Sequence, residues 1–164
     1  MSYARFVTMI ATSTLIMFGL MYLNTFALDH VWYSQTRAWM AVVMGAAMAV
    51  IMIAFMFAMY RNKAANLAIV GASIVAFAAA LWLVRSQETV DDISYMKAMI
   101  PHHSIAIMTS ARAHIHDPRV RELADGIIAA QVREIAEMET LIADLERNPV
   151  PKDAPDLTPT VATN

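Results

Sequence analysis

With fourteen methionines, five histidines and no cysteine, the metal-ligating groups of this chain are thioethers and imidazoles. These are the donors that soft and borderline ions select, copper foremost. Met40, Met44, Met48, Met52 and Met56 recur at strict four-residue spacing in one apolar run. A second group lies in the more polar C-terminal part: Met96, Met99, His102 and His103, then His114, His116 and Met138. At about 100° per residue, Met96, Met99 and His103 fall within roughly 60° of one another on a helix, and His114 returns to the same side three turns later. One face can therefore offer two sulfurs and a nitrogen to a single ion. His102 and His103 diverge by about 100°, so they cannot share one inward site; one ligates and the other flanks, or they serve separate ions.

Several chemistries are excluded at this stage. Without cysteine there is no disulfide framework, no thiolate zinc site and no thiol catalysis. A formal net charge of −2 with scattered Lys and Arg gives no nucleic-acid footprint. No Glu-x-x-His occurs, and the helix carrying His103 lacks the inward carboxylates of a di-iron centre. No histidine lies inside an apolar run to ligate haem. No enzymatic activity is expected.

The elements that must position these donors divide the 164 residues into two regions and a tail. Apolar runs over about 6–28, 38–60 and 67–84 are each long enough for the roughly 20 helical residues that cross a bilayer. Region 1–86 is thus a three-helix transmembrane region. The first run is read as an anchor rather than a cleaved leader, because it is long and no Ala-x-Ala pattern precedes Asp29. Trp32, Tyr33 and Trp39, with Tyr60 and Trp82, read as rings at headgroup depth. Arg61 and Lys63 between the second and third runs, with Arg5 before the first, place the N-terminus in the cytoplasm of an inner or plasma membrane. The C-terminal region is then periplasmic, although Arg37 and Arg85 oppose this bias.

Residues 87–148 read as two amphipathic helices, about 90–116 and 118–147. The first opens near Thr89 with Asp91 and Asp92 following, and the second at Asp117-Pro118. Residues 149–164, with Pro149, Pro151, Pro155 and Pro159, read as a disordered tail. Counted from Asp117, His103 lies opposite Gln131 and Met96 opposite Met138. Gln131 and Glu134 become candidates for orienting an imidazole, and Met138 for a further ligand. Methionine at helical spacing also serves as flexible core filling, and His114 and His116 near a helix end also suit its dipole. His103 on an apolar seam needs a polar partner under either reading. A hairpin of about 60 residues has little core of its own, so its stripes are expected to meet another copy of the chain. The result would be a homo-oligomer, a dimer as the simplest case, completing a four-helix bundle.

The string Met99-Ile100-Pro101-His102-His103, with Ala106-Ile107-Met108, Asp117-Pro118, Ile127 to Gln131, Glu134-Ile135 and Met138, resembles the family known as domain of unknown function 305. The resemblance covers about 88–147 and implies a ferritin-like helical fold. It also implies an exported or membrane-anchored protein and, as in some members, copper binding and copper resistance. Members often carry two hairpins where this chain has one, which again points to assembly between chains. The combined expectation is an all-α membrane-anchored protein that sequesters or delivers copper, Cu(I) favoured and Cu(II) admissible, with membrane and metal ion as partners. Two alternatives stay open: copper transport along a path lined by Met40 to Met56, joined by Met17 and Met21, and a metal-free assembly module.

Overall fold

The computed structural model describes residues 2–151 and 153–157. Five α-helices and no strand occur among the described residues: α1 Tyr3–Leu20, α2 Gln35–Phe55, α3 Lys63–Ser86, α4 Asp92–Arg112 and α5 Pro118–Arg147. The all-helical architecture follows from the apolar patterning, and each helix begins where a short polar side chain can satisfy a free amide. The caps are Ser2, Ser34, Asn62, Asp91 and Asp117, each accepting a backbone N–H from the first turn. Thr89 is not the cap of α4. Asp91 accepts the Ser94 amide at 2.7 Å, and the hydrogen bonds from Ser94 hold its carboxyl below the ordinary aspartate value. Thr89 instead donates to the side-chain carbonyl of Gln35 at the start of α2.

Helices α1, α2 and α3 are long and apolar enough to cross a membrane, as a membrane protein requires. They run up, down and up, with α2 packed against both neighbours. At one end, Tyr3 of α1 donates to Asn66 Oδ1 of α3 at 2.8 Å, and the Asn66 amide donates to Tyr60 O at 3.0 Å. Asn66 is thereby buried with its polar atoms satisfied, beside a cluster of Phe6, Ala49, Ile53 and Tyr60. Midway, α1 and α2 approach so closely that a Cβ at Gly45 would fall inside the van der Waals shell of Thr14 Oγ1.

The first helix stops at Leu20, short of the Leu28 expected from hydropathy. Arg37 Nη1 of α2 donates to the Met21 carbonyl at 2.7 Å, closing off the helix end, while its guanidinium lies 4.5 Å from the centre of the Tyr22 ring. Over residues 23–33 the chain leaves the helix and meets α4 through the Phe26 amide, His30 and Trp32, while Leu23, Leu28 and Tyr33 stay exposed. At this same end α3 terminates at Gln87, which adopts a left-handed φ of 56°. Its side-chain amide donates to Val84 O and its oxygen accepts from Thr36 of α2.

Helices α4 and α5 form an antiparallel hairpin around Met96, Ile100, Ile107, Ile135, Met138 and Ile142. Helix α4 continues through Pro101, whose ring is fully buried, but ends at Arg112 rather than near His116. Ala113 turns to extended backbone, and Asp117 is extended, as the position directly before Pro118 favours. Part of the tail expected over 149–164, namely 152 and 158–164, lies outside the described residues; 149–151 and 153–157 carry no helix. The Gly45 crossing yields a direct expectation. Gly45→Val should destabilise the helical bundle by about 1–3 kcal/mol through overpacking, read as a lower thermal midpoint in detergent, whereas Gly71→Val, with nothing within 4 Å, should not.

Candidate metal centre

A buried hydroxyl helps join the two regions of the chain. Ser104 of α4 is completely buried. Its Oγ accepts the Phe26 amide at 2.7 Å and lies 2.9 Å from His30 Nδ1, so the segment after α1 is stitched to the helix that carries the histidines. Trp32, in the same segment, packs against the hairpin core rather than only marking a membrane edge. The Lys97 ammonium lies 5.7 Å from the centre of its ring and also pairs with Glu146 of α5 at 2.8 Å. His30, Trp32 and Ser104 are the parts of the site's surroundings that the sequence left unread. The only hint was a serine among apolar residues of α4, which burial obliges to find partners.

On the adjoining face of α4, about 100° from Ser104, His103 bridges the two hairpin helices. Its Nδ1 donates to the Met99 carbonyl at 2.9 Å, one turn back. Its Nε2 lies 2.7 Å from Glu134 Oε2 on α5. A carbonyl only accepts, so the contact to Glu134 must hold a second proton between ring and carboxylate, and both ring nitrogens are engaged. The imidazole is about nine-tenths covered, whereas the Glu134 carboxylate is 42% exposed and has room to turn away. A metal taking Nε2 would displace that proton and release Glu134, leaving the Met99 carbonyl to keep the ring in orientation.

The structure brings Met96 and Met138 together as buried members of the hairpin core, with Met99 packed against them. His103 adjoins this thioether group through Met99. Of the two residues considered for orienting an imidazole, Glu134 meets His103, one turn beyond the position opposite Gln131 counted from Asp117. The reason is the connection. Residues 113–117 are not helical, and extended residues advance about 3.3 Å each instead of 1.5 Å. With His103 level with Glu134, the start of α5 stands about 10 Å above the end of α4 at the helical rise of 1.5 Å per residue. The first turns of α5 therefore overhang α4.

The remaining histidines stand apart. His102 is exposed, its ring centre 6.2 Å from that of His103. His114 and His116 lie exposed in the connection, outside α4, so His114 does not return to the face of Met96 and His103. Among the described residues, no three His, Asp or Glu side chains gather into a metal-binding group. The five methionines of the row, four in α2 and Met56 at its C-terminal cap, do not share one environment either. Met40 is 37% exposed, and the row winds until Met52 and Met56 pack against the Phe6 and Tyr60 cluster, as successive rotations of about 40° require.

Comparison with known proteins then bears on the hairpin. Residues 92–162 match the family model described as "Domain of unknown function (DUF305)". The DUF305 match begins with α4 and leaves out the three apolar helices. A curated relative, "Uncharacterized protein L153" of Acanthamoeba polyphaga mimivirus, is 41% identical over 64 residues, 38% of this chain and 42% of the relative. The chain therefore aligns with less than half the length of that relative. No solved structure matches the chain.

The Ser104 clasp is open to a simple test. Ser104→Ala leaves the part-buried Phe26 amide without its acceptor, a cost of about 0.5–1.5 kcal/mol. Limited proteolysis should cut the 21–34 segment faster in this variant, while the hairpin's helical content stays unchanged.

Proposed function

We propose that this chain is a membrane-anchored copper-binding protein that holds Cu(I) in its DUF305 hairpin for sequestration or delivery, without catalysing a reaction. One observation carries the reading: the imidazole of His103, held by the Met99 carbonyl and bridging to Glu134, lies on the α4–α5 seam whose buried core includes Met96 and Met138, with Met99 half-buried against that core. The donor set fits the ion. Two or more thioethers with one imidazole are soft ligands that favour Cu(I), and the shortage of gathered carboxylates disfavours hard divalent ions. Glu134 serves as the carboxylate that holds the ring until an ion displaces it. His102, His114 and His116, exposed and imidazole-only, suit capture of Cu(II) at the periphery rather than the central ion.

In this reading the membrane region anchors the hairpin. The hairpin and the 21–34 segment lie at the end of the bundle opposite Arg61 and Lys63. The positive-inside bias of that short loop supports an extracytoplasmic hairpin. The resemblance to a family with copper-binding members supports the same reading.

Two measurements test this proposal. His103→Ala should weaken Cu(I) binding at least tenfold, about 1.4 kcal/mol or more, in a competition titration on protein whose helical content is unchanged. His102→Ala should have a smaller effect, and equal losses would show that the wrong imidazole has been chosen. For orientation, cysteines introduced singly at Asn62 and Asp156 of the cysteine-free chain should differ in intact cells. An impermeant thiol reagent should label position 156 and spare position 62; labelling of both, or of position 62 alone, rejects the orientation.

A further inference from the structure

The overhang of α5 leaves an apolar surface uncovered. Leu123 is 65% exposed and Val120 49%, although both belong to a hairpin expected to stand in water. Beside them Gly126 has nothing within 4 Å of where its Cβ would be, and Arg119, Glu122, Leu123, Gly126, Ile127, Ala130 and Gln131 line a shallow groove along α5. At about 100° per residue, Arg119, Leu123, Gly126, Ala130 and Glu134 fall within about 80° of one another, on a face centred roughly 120° from the buried Ala124, Ile135 and Ile142, with Glu134 and Ile127 at its border toward the buried Met138.

We propose that this face is the contact between two copies of the chain, with the two α5 helices crossing antiparallel about a two-fold axis between Gly126 and Ile127. The register follows from pairing. With the axis there, Leu123 of each copy meets Ala130 of the other and Ile127 meets Gly126, so each large side chain faces a small one. The same register brings Arg119 of each copy to Glu134 of the other. Sliding the two helices by about three residues, which moves the axis to residue 128, would instead set Glu122 against Glu134 and Leu123 against Arg133, a like-charge pair and a buried cation. The charges are available for the exchange. Arg119 gives Nε and Nη2 to Asp117 of its own chain, which leaves Nη1 free to donate, and Glu134 uses Oε2 for His103, which leaves Oε1 to accept. An isologous contact of this kind closes on itself and makes a dimer.

The interface does not depend on the metal reading, but Glu134 joins the two. If His103 holds copper as proposed above, the partner's Arg119 reaches the carboxylate that competes for His103 Nε2.

The full chain has no cysteine, so cross-linking in metal-free membranes or mild detergent reads the contact directly. Gly126→Cys should form a disulfide-linked dimer under diamide, because the two positions lie beside the axis, while Val132→Cys on the far, 54% exposed side of α5 should not. In the Gly126→Cys background, Arg119→Glu and Glu134→Arg should each slow cross-linking at least tenfold, and the two together should restore it. Equal cross-linking from positions 126 and 132, or charge reversals without effect, would overturn the interface; charge reversals that weaken it without mutual rescue would overturn the register. Circular dichroism of each variant separates these outcomes from unfolding. Because no copper is present, failure here leaves the copper titrations of His103 untouched, and failure of those titrations leaves this interface standing.

Discussion

Ser104 is the point on which the arrangement turns. A hydroxyl with no exposure to solvent must satisfy its hydrogen bonds inside the protein, and it does so with Phe26 N–H and His30 from the segment that follows α1. Trp32 of the same segment packs against the hairpin core, so one face of α4 is tied to the membrane region. His103, the residue before Ser104, is turned by about 100° from it and meets Glu134 of α5, so docking and the hairpin seam occupy adjoining faces of one helix.

Pro101 sits between these two roles. It is buried among apolar residues on the docking side, next to Ile100 in the hairpin core, and it removes one amide from the helical ladder just before His102 and His103. The helix nonetheless continues to Arg112, because α5 on one side and the 21–34 segment on the other hold it. The Lys97 carbonyl loses its usual helical donor at the same place, while the Lys97 side chain spans Trp32 and Glu146. Membrane region and hairpin therefore share a polar contact on either side of the proline.

The methionines illustrate how residue type and environment must be read together. Met96 and Met138 fill the hairpin core as flexible apolar side chains, and a core position is also what a soft, poorly hydrated ion prefers. The same residue type in α2 winds from the outer surface into the packing against α1. Regular spacing of four residues there expresses a helical pitch mismatch more than a common lining.

Much was legible in the chain itself. Apolar run length set the three long helices and the amphipathic period set the hairpin, since both are properties of consecutive residues. The shared face of Met96, Met99 and His103 and the candidacy of Glu134 also followed from local geometry. What only the tertiary structure decided were the relations between distant segments. The choice of Glu134 over Gln131 as the His103 partner depended on how far an extended five-residue connection climbs before α5 begins. The removal of His114 from the ligand face depended on where α4 stops. The docking of His30 and Phe26 joined residues more than seventy positions apart, and no periodicity within a single helix encodes which buried hydroxyl a remote amide will meet.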